Sequence, residues 1–451
     1  MTENRPQRRP DARTTRPMPA VRRPENDNEI TAVIPPIRDA AGDGERQRAT
    51  PRRTEPATPQ TRLARRRAER NQRPKGVMIL LAAVAAVIAL AAGVFVFGKL
   101  TNDPPVAADY EGPAGPSVVI EVKPGETADE ISHTLAGKDV VASAAAFYEA
   151  AVANPKMNEV HPGFYYVPSK APASEVVTAL VDPAARVGAL LLSEGRQLHD
   201  TRDVNTQAVK EGIYRKIAAA SCLGAKGQQK CLTYDDLNNA GASTDLAALG
   251  VPDWALDGVR KVPDRDRQLE GLIASGSWNF DPTKSATEIL RHLVVQSTEM
   301  YKKSGILDAN KTGQLTPYQK LIAASLVERE SLPQDFPKVA RVILNRLAIN
   351  QALQFDSTVN YALDTTEVAT TDADRAKKTP WNTYAMPGLP ATPISSPSLK
   401  ALEAVEVPAA GPWRYFVTID KQGTTLFTES YDEHLRNIDK AAQSGILQSG
   451  R

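Results

Sequence analysis

The chain of 451 residues has only two cysteines and five histidines. Two cysteines exclude a disulfide-dense scaffold and a four-cysteine zinc module. The histidines are scattered and form no His-Glu-x-x-His pair, which argues against a metalloenzyme, so neither a metal nor another cofactor is expected. Net charge is scarce too, since 55 basic against 53 acidic side chains leave +2. That balance is unevenly spread. Residues 1–75 hold 19 basic and 10 acidic groups, and 76–451 hold 36 and 43, so the two parts carry +9 and −7. Residues 1–75 contain no Phe, Tyr or Trp and 11 prolines. Such a segment buries too little apolar surface to offset the entropy of ordering, and a disordered basic tail is predicted. With no aromatic rings to stack on bases, nucleic acid is not an expected partner.

A long apolar run comes next. Residues 76–98 read GVMILLAAVAAVIALAAGVFVFG without a charge, and as a helix they would extend roughly 35 Å, enough to cross a bilayer. Arg65, Arg66, Arg67, Arg70, Arg73 and Lys75 precede the run and only Lys99 closely follows it. This bias predicts a single-pass cell-membrane protein with its tail in the cytoplasm and everything after about residue 99 outside. A cleaved signal peptide would not follow 75 residues of tail. In an oxidising compartment, Cys222 and Cys231, nine apart around Gly224 and Gly227, are expected to close a small structural disulfide loop.

Residues 99–116, rich in Pro, Gly and Ala, read as a linker. A strand is predicted over 118–122, a Lys123-Pro124-Gly125-Glu126-Thr127 turn, a helix over 127–135 with Thr127 and Glu130 as a capping box, a second helix over 142–153 and a returning strand over 163–167. This order, within a unit spanning 117–193, resembles LysM-type glycan-binding modules; a plain α+β spacer stays open as the alternative. A helix over 174–181 and an apolar strand over 187–192 lead into a mostly helical domain with some strands over 194–451. The expected fold class is α+β. Trp278 and Phe280 are read as packing residues rather than sugar platforms.

The chemistry concentrates after Thr316-Pro317, a helix start. At about 100° per residue, Ile322, Leu326 and Glu330 fall at roughly 0°, 40° and 80°, whereas Glu328 falls near 240°. Glu330 therefore shares the apolar face, where desolvation would raise its pKa toward that of a general acid working near neutrality. A solvated position in the last turn, just before Leu332-Pro333, remains open on periodicity alone. A second helix is predicted over 337–347. The stretch from Leu353 to Tyr361, with Trp381-Asn382-Thr383-Tyr384 and Gly388-Leu389-Pro390, supplies amide, hydroxyl and ring groups compatible with sugar binding.

The blocks Ala324-Ser325-Leu326-Val327-Glu328-Arg329-Glu330-Ser331, Lys338 to Leu347, Leu353 to Tyr361, Asn382-Thr383-Tyr384 and Gly388-Leu389-Pro390 closely resemble, in order and spacing, the endolytic murein transglycosylase family. The resemblance runs from about Val118 to the C-terminus and includes Glu270-Gly271, Tyr415-Phe416-Val417 and His434. It implies a lyase that cuts the β-1,4 bond between N-acetylmuramic acid and N-acetylglucosamine and leaves 1,6-anhydro ends, with Glu330 at the position of the catalytic acid. Gln354, Asp356, Asn382 and Tyr384 are then expected to orient and bind the substrate, with Glu328 a weaker candidate. Peptidoglycan glycan strands are the implied partner, and peptidoglycan synthases a further one. A glycan-binding scaffold and a hydrolase are the alternatives, the latter needing a second carboxylate such as Asp356 to hold a water. Two departures, Leu272 to Trp278 after Glu270-Gly271 and Ala391-Thr392 after Pro390, affect expected cleft walls and not the acid.

Overall fold

The computed structural model describes residues 107–225, 227–308, 315–366 and 370–445. The expected tail (1–75), the apolar run (76–98) and the start of the linker lie outside these residues. Among the described residues, no helix is long and apolar enough to cross a membrane.

Two hydrophobic cores follow one another along the chain. The first is built by β1 (Ser117–Val122), α1 (Ala128–Gly137), α2 (Ala144–Ala153), β2 (Gly163–Pro168), α3 (Ala173–Leu180) and β3 (Arg186–Val187). β2 pairs antiparallel with both β1 and β3. The start of α1 follows from its sequence, because Thr127 accepts from the Glu130 N–H and Glu130 accepts in return from the Thr127 N–H. Alternate residues Ile120 and Val122 of β1 and Tyr165 and Val167 of β2 turn inward onto Leu135, Phe147 and Val176.

The predicted strand over 187–192 is in fact two strands serving two cores. Gly188 ends β3, and β4 (Ala189–Leu192) pairs with β7 (Gly276–Asn279) instead. Gly188 has φ +62°, and a Cβ there would stand 1.9 Å from the Phe280 carbonyl oxygen, so only glycine fits the crossing. Beside it, the Arg186 guanidinium bridges the Pro162 carbonyl and the Asn279 side chain at 3.1 and 2.9 Å.

The larger core contains β5 (Thr201–Asp203), β6 (Val209–Lys210), α4 (Ile213–Ala220), α5 (Tyr234–Gly241), α6 (Asp253–Arg260) and α7 (Ala286–Lys303). It continues with α8 (Pro317–Glu330), α9 (Phe336–Ala348), α10 (Asp356–Ala362), β8 (Thr365–Thr366), α11 (Asp372–Ala376), α12 (Leu399–Glu406), the hairpin β9 (Tyr415–Thr418) and β10 (Thr425–Thr428), and α13 (Tyr431–Gln443). The class is mixed helix and sheet, as expected. Cys222 and Cys231 form a disulfide after α4, and the Leu223 and Lys230 backbones bond across the loop it closes. Trp278 is buried, its indole N–H donating to the Ala274 carbonyl at 2.9 Å.

α8 runs through the middle of this core. It is capped by Thr316 and Gln319 and packs against α6, α9, α10 and α12. It is not amphipathic: every residue from Lys320 to Glu328 is buried. The helical-face argument thus anticipates the burial of Glu330 but misplaces Glu328, which is also buried. Glu328 Oε2 accepts from the Ser398 hydroxyl at 2.6 Å and from its N–H at 3.3 Å, joining α8 to the N-cap of α12. That tie fastens the two helices together.

Candidate active site

Glu330 is the last residue of α8. Ser331 then turns extended (φ −152°), and Pro333 bars another helical turn. At a helix C-terminus a carboxylate faces unpaired carbonyl oxygens, an arrangement that disfavours the charged form. Burial does more, leaving Glu330 7% exposed. Its pKa is pushed up to about 7, chiefly by burial and further by the neighbouring Asp356 charge; the Ser357 hydroxyl and the Arg329 cation oppose the rise. The Ser357 hydroxyl donates directly to Glu330 Oε1. The solvated last-turn position is thereby ruled out.

Asp356 and Ser357 occupy the first turn of α10, a helix that the sequence does not announce. The turn before it is held by backbone contacts. Arg346, 2% exposed on α9, donates to the Leu353 and Arg414 carbonyls. The Gln354 and Phe355 N–H groups donate to the Thr383 carbonyl and hydroxyl at 3.1 and 3.0 Å. These bonds hold Gln354 at φ +53°, a left-handed conformation that a non-glycine residue rarely adopts. Its side chain is exposed beside the buried pair Asp356 and Ser357.

Asp356 is 3% exposed, and its Oδ1 accepts from Thr370, Tyr384 and Arg375 at 2.6, 2.9 and 3.2 Å. Burial raises its pKa, while the Arg375 charge and these donors hold it down. The Arg375 guanidinium also lies over the Tyr384 ring, 5.2 Å from its centre. Glu330, Ser357, Asp356, Arg375 and Tyr384 therefore form one linked polar cluster, with Gln354 at its edge.

Asn382 does not join it as expected. Buried to 1% exposure, its amide nitrogen donates to the Arg375 and Lys377 carbonyls at 2.9 and 2.5 Å, and its oxygen accepts from the Tyr384 N–H at 2.9 Å. The side chain is engaged in shaping the loop that presents Tyr384.

The sequence reading passed over Ser357, Thr370 and Arg375. Ser357 stands inside a block already singled out, next to Asp356. Arg375 lies 19 residues beyond Asp356, and only the fold brings them together.

A second carboxyl is pushed up to about 7: Glu270, wholly enclosed, whose Oε2 accepts from the Leu198 N–H at 3.1 Å. Burial is again the main cause, and Arg267 opposes it. With no exposed surface, Glu270 has no route to a ligand. Accessibility, not acidity, separates the two carboxyls.

The chain is 25% identical over 358 residues to a protein of Bacillus subtilis named endolytic murein transglycosylase, covering 78% of this chain and 91% of that one. It is 25% identical over 187 residues to a Streptococcus pneumoniae protein of the same name, covering 40% of this chain and 33% of that one. The crystal structure of a YceG-like protein from Listeria monocytogenes superposes with a TM-score of 0.45 at 24% identity, covering 72% of this chain and 99% of that one. Residues 120–440 match the YceG-like family, and the chain belongs to that family.

Proposed function

We propose that the protein is a membrane-anchored lytic transglycosylase that cuts the β-1,4 bond between N-acetylmuramic acid and N-acetylglucosamine in nascent peptidoglycan strands. The observation that carries this reading is Glu330: a carboxyl held near neutral pKa, oriented by Ser357 and still reachable from solvent, at the position that the sequence blocks assign to an acid. The names borne by the relatives support the substrate class.

The chemistry asks for one carboxyl. Protonated Glu330 donates to the glycosidic oxygen as the C1–O bond breaks. The resulting carboxylate then takes the proton of the muramic acid C6 hydroxyl as that oxygen bonds to C1, closing the 1,6-anhydro ring. No water enters. A hydrolase would need a second carboxylate to activate water, and Asp356 is engaged by three donors on one oxygen. In this reading Asp356 and Arg375 hold Tyr384 against the sugar, and exposed Gln354 offers its amide to a hydroxyl or acetamido group.

The anchor is assigned to residues 76–98, with the basic tail in the cytoplasm. A disulfide at Cys222–Cys231 fits an extracytoplasmic domain. The 117–193 unit, LysM-like in its order of elements, would grip glycan strands, and synthases making those strands are the natural neighbours. The test is mass spectrometry of products after the full chain in detergent, wild type and Glu330→Gln, meets uncrosslinked glycan strands. Anhydro-muramic ends from the wild type alone are expected. Reducing ends would convert the reading to a hydrolase, and no products from the wild type would convert it to a scaffold.

A further inference from the structure

A separate polar cavity of about 540 Å³ is lined by Asp200, Thr201, Arg202, Val209, Glu211, Arg215 and Asp364. Three strands build its wall. β5 pairs antiparallel with β6 and parallel with β8, so Arg202 sits opposite Val209 on one side and Thr365 on the other. Three of the charged groups are already matched: Arg215 contacts Asp200 at 2.5 Å, and Asp364 accepts from Arg267 at 2.7 Å. Among the described residues neither Arg202 nor Glu211 forms a salt bridge, although the Glu211 charge also acts on Arg215, and both side chains are exposed. Val209, half exposed, adds an apolar patch between them. The cavity therefore offers a cation without an ion pair, an anion that only the already paired Arg215 acts on, and an alkyl surface. A ligand that matches all three carries a carboxylate and an ammonium on an aliphatic stem.

Its placement relative to Glu330 narrows the choice. Ser357, bonded to Glu330, lies in the first turn of α10, and Asp364 on the cavity wall follows the end of that helix. Seven residues, the first five of them within the helix, separate the two, a span on the order of 10 Å at about 1.5 Å each. An extended peptide of four residues covers about 13 Å. Peptide stems hang from the muramic acid residues of peptidoglycan, contain a diamino acid and end in a carboxylate.

We propose that this cavity is a stem-peptide subsite, in which Arg202 takes a stem carboxylate, Glu211 takes the diamino-acid ammonium and Val209 covers its methylenes. The assignment rests on the peptidoglycan reading above and deepens it. It makes the enzyme selective for strands that still carry their stems.

The test uses the full chain in detergent with two readouts. One is calorimetric binding of a synthetic tetrapeptide stem containing meso-diaminopimelate. The other is the ratio of kcat/KM on stem-bearing strands to that on strands stripped of stems by an amidase. Replacing one charge-assisted partner should weaken peptide binding about tenfold in Arg202→Glu and in Glu211→Lys, and lower the ratio by a similar factor. Both side chains are exposed, so neither variant threatens the fold. Undetectable peptide binding by the wild type, or binding that neither substitution weakens, overturns the subsite. Binding that behaves as expected in a protein that cleaves neither kind of strand upholds the subsite and counts against the lyase alone.

Discussion

Ser357 donates its hydroxyl to Glu330 Oε1, so the first turn of α10 is fastened to the last residue of α8. The bond favours the carboxylate and works against the burial that favours the acid. The balance leaves Glu330 near pH 7, where a single carboxyl both gives and takes a proton.

Removing that hydroxyl should tip the balance. Ser357→Ala is expected to raise the Glu330 pKa and move the descending limb of the pH–rate profile to higher pH, with a loss in kcat of roughly tenfold from poorer orientation. Activity of both proteins from pH 5 to 9 on purified strands checks this, and a limb that stays in place or moves to lower pH contradicts it.

The raised pKa of Glu330 also has a cost in stability. The folded value of about 7 lies above the ordinary 4.5, so the stability gained from holding the proton is complete below about pH 4.5 and lost as pH rises through 7. Glu330→Gln, which never ionises, should therefore melt above the wild type at pH 8, by up to about 3 kcal/mol. The two should converge at pH 5. Thermal melts at both pH values decide it, and equal melting at pH 8 would mean that Glu330 ionises without penalty.

Asp356 and Arg375 are 3% and 8% exposed and meet at 3.2 Å. Asp356→Asn keeps the shape and strips the charge, leaving Arg375 with only the exposed Asp372 at 3.3 Å. A loss on the order of 3 kcal/mol in denaturant unfolding is expected. Adding Arg375→Gln should recover part of it; a double variant as unstable as the sum of the singles would show that the pair is not coupled.

Gly188→Ala places a methyl group against the Phe280 carbonyl in a left-handed conformation. A destabilisation of at least about 2 kcal/mol is expected from strain and displacement together. Circular dichroism melts would refute the assignment of this crossing if the variant matched the wild type.

Much of this was legible in the sequence where local rules decide the outcome. The Thr127 and Glu130 capping box, the Thr316-Pro317 helix start and the disulfide spacing each depend on residues a few positions apart. The block that holds Glu330 was legible because it is contiguous. The misplacement of Glu328 has a physical cause: periodicity assumes one wet face, and α8 has none. For Asn382 the sequence does not separate the two uses, because an amide suits a sugar hydroxyl and a backbone carbonyl equally well. α10 was hidden because its opening turn depends on Arg346 and Thr383, distant residues that lock Gln354 and Phe355 in place. The split of strand 187–192 was equally non-local, since nothing near Gly188 in sequence reveals the approach of Phe280.

The crossing at Gly188 leaves no slack between the two cores. β3 and β4 are separated by that single residue, whose N–H and C=O are both taken, by the Ala220 carbonyl and the Phe280 N–H at 3.0 Å each. The smaller core is thus joined like a bracket rather than a leash.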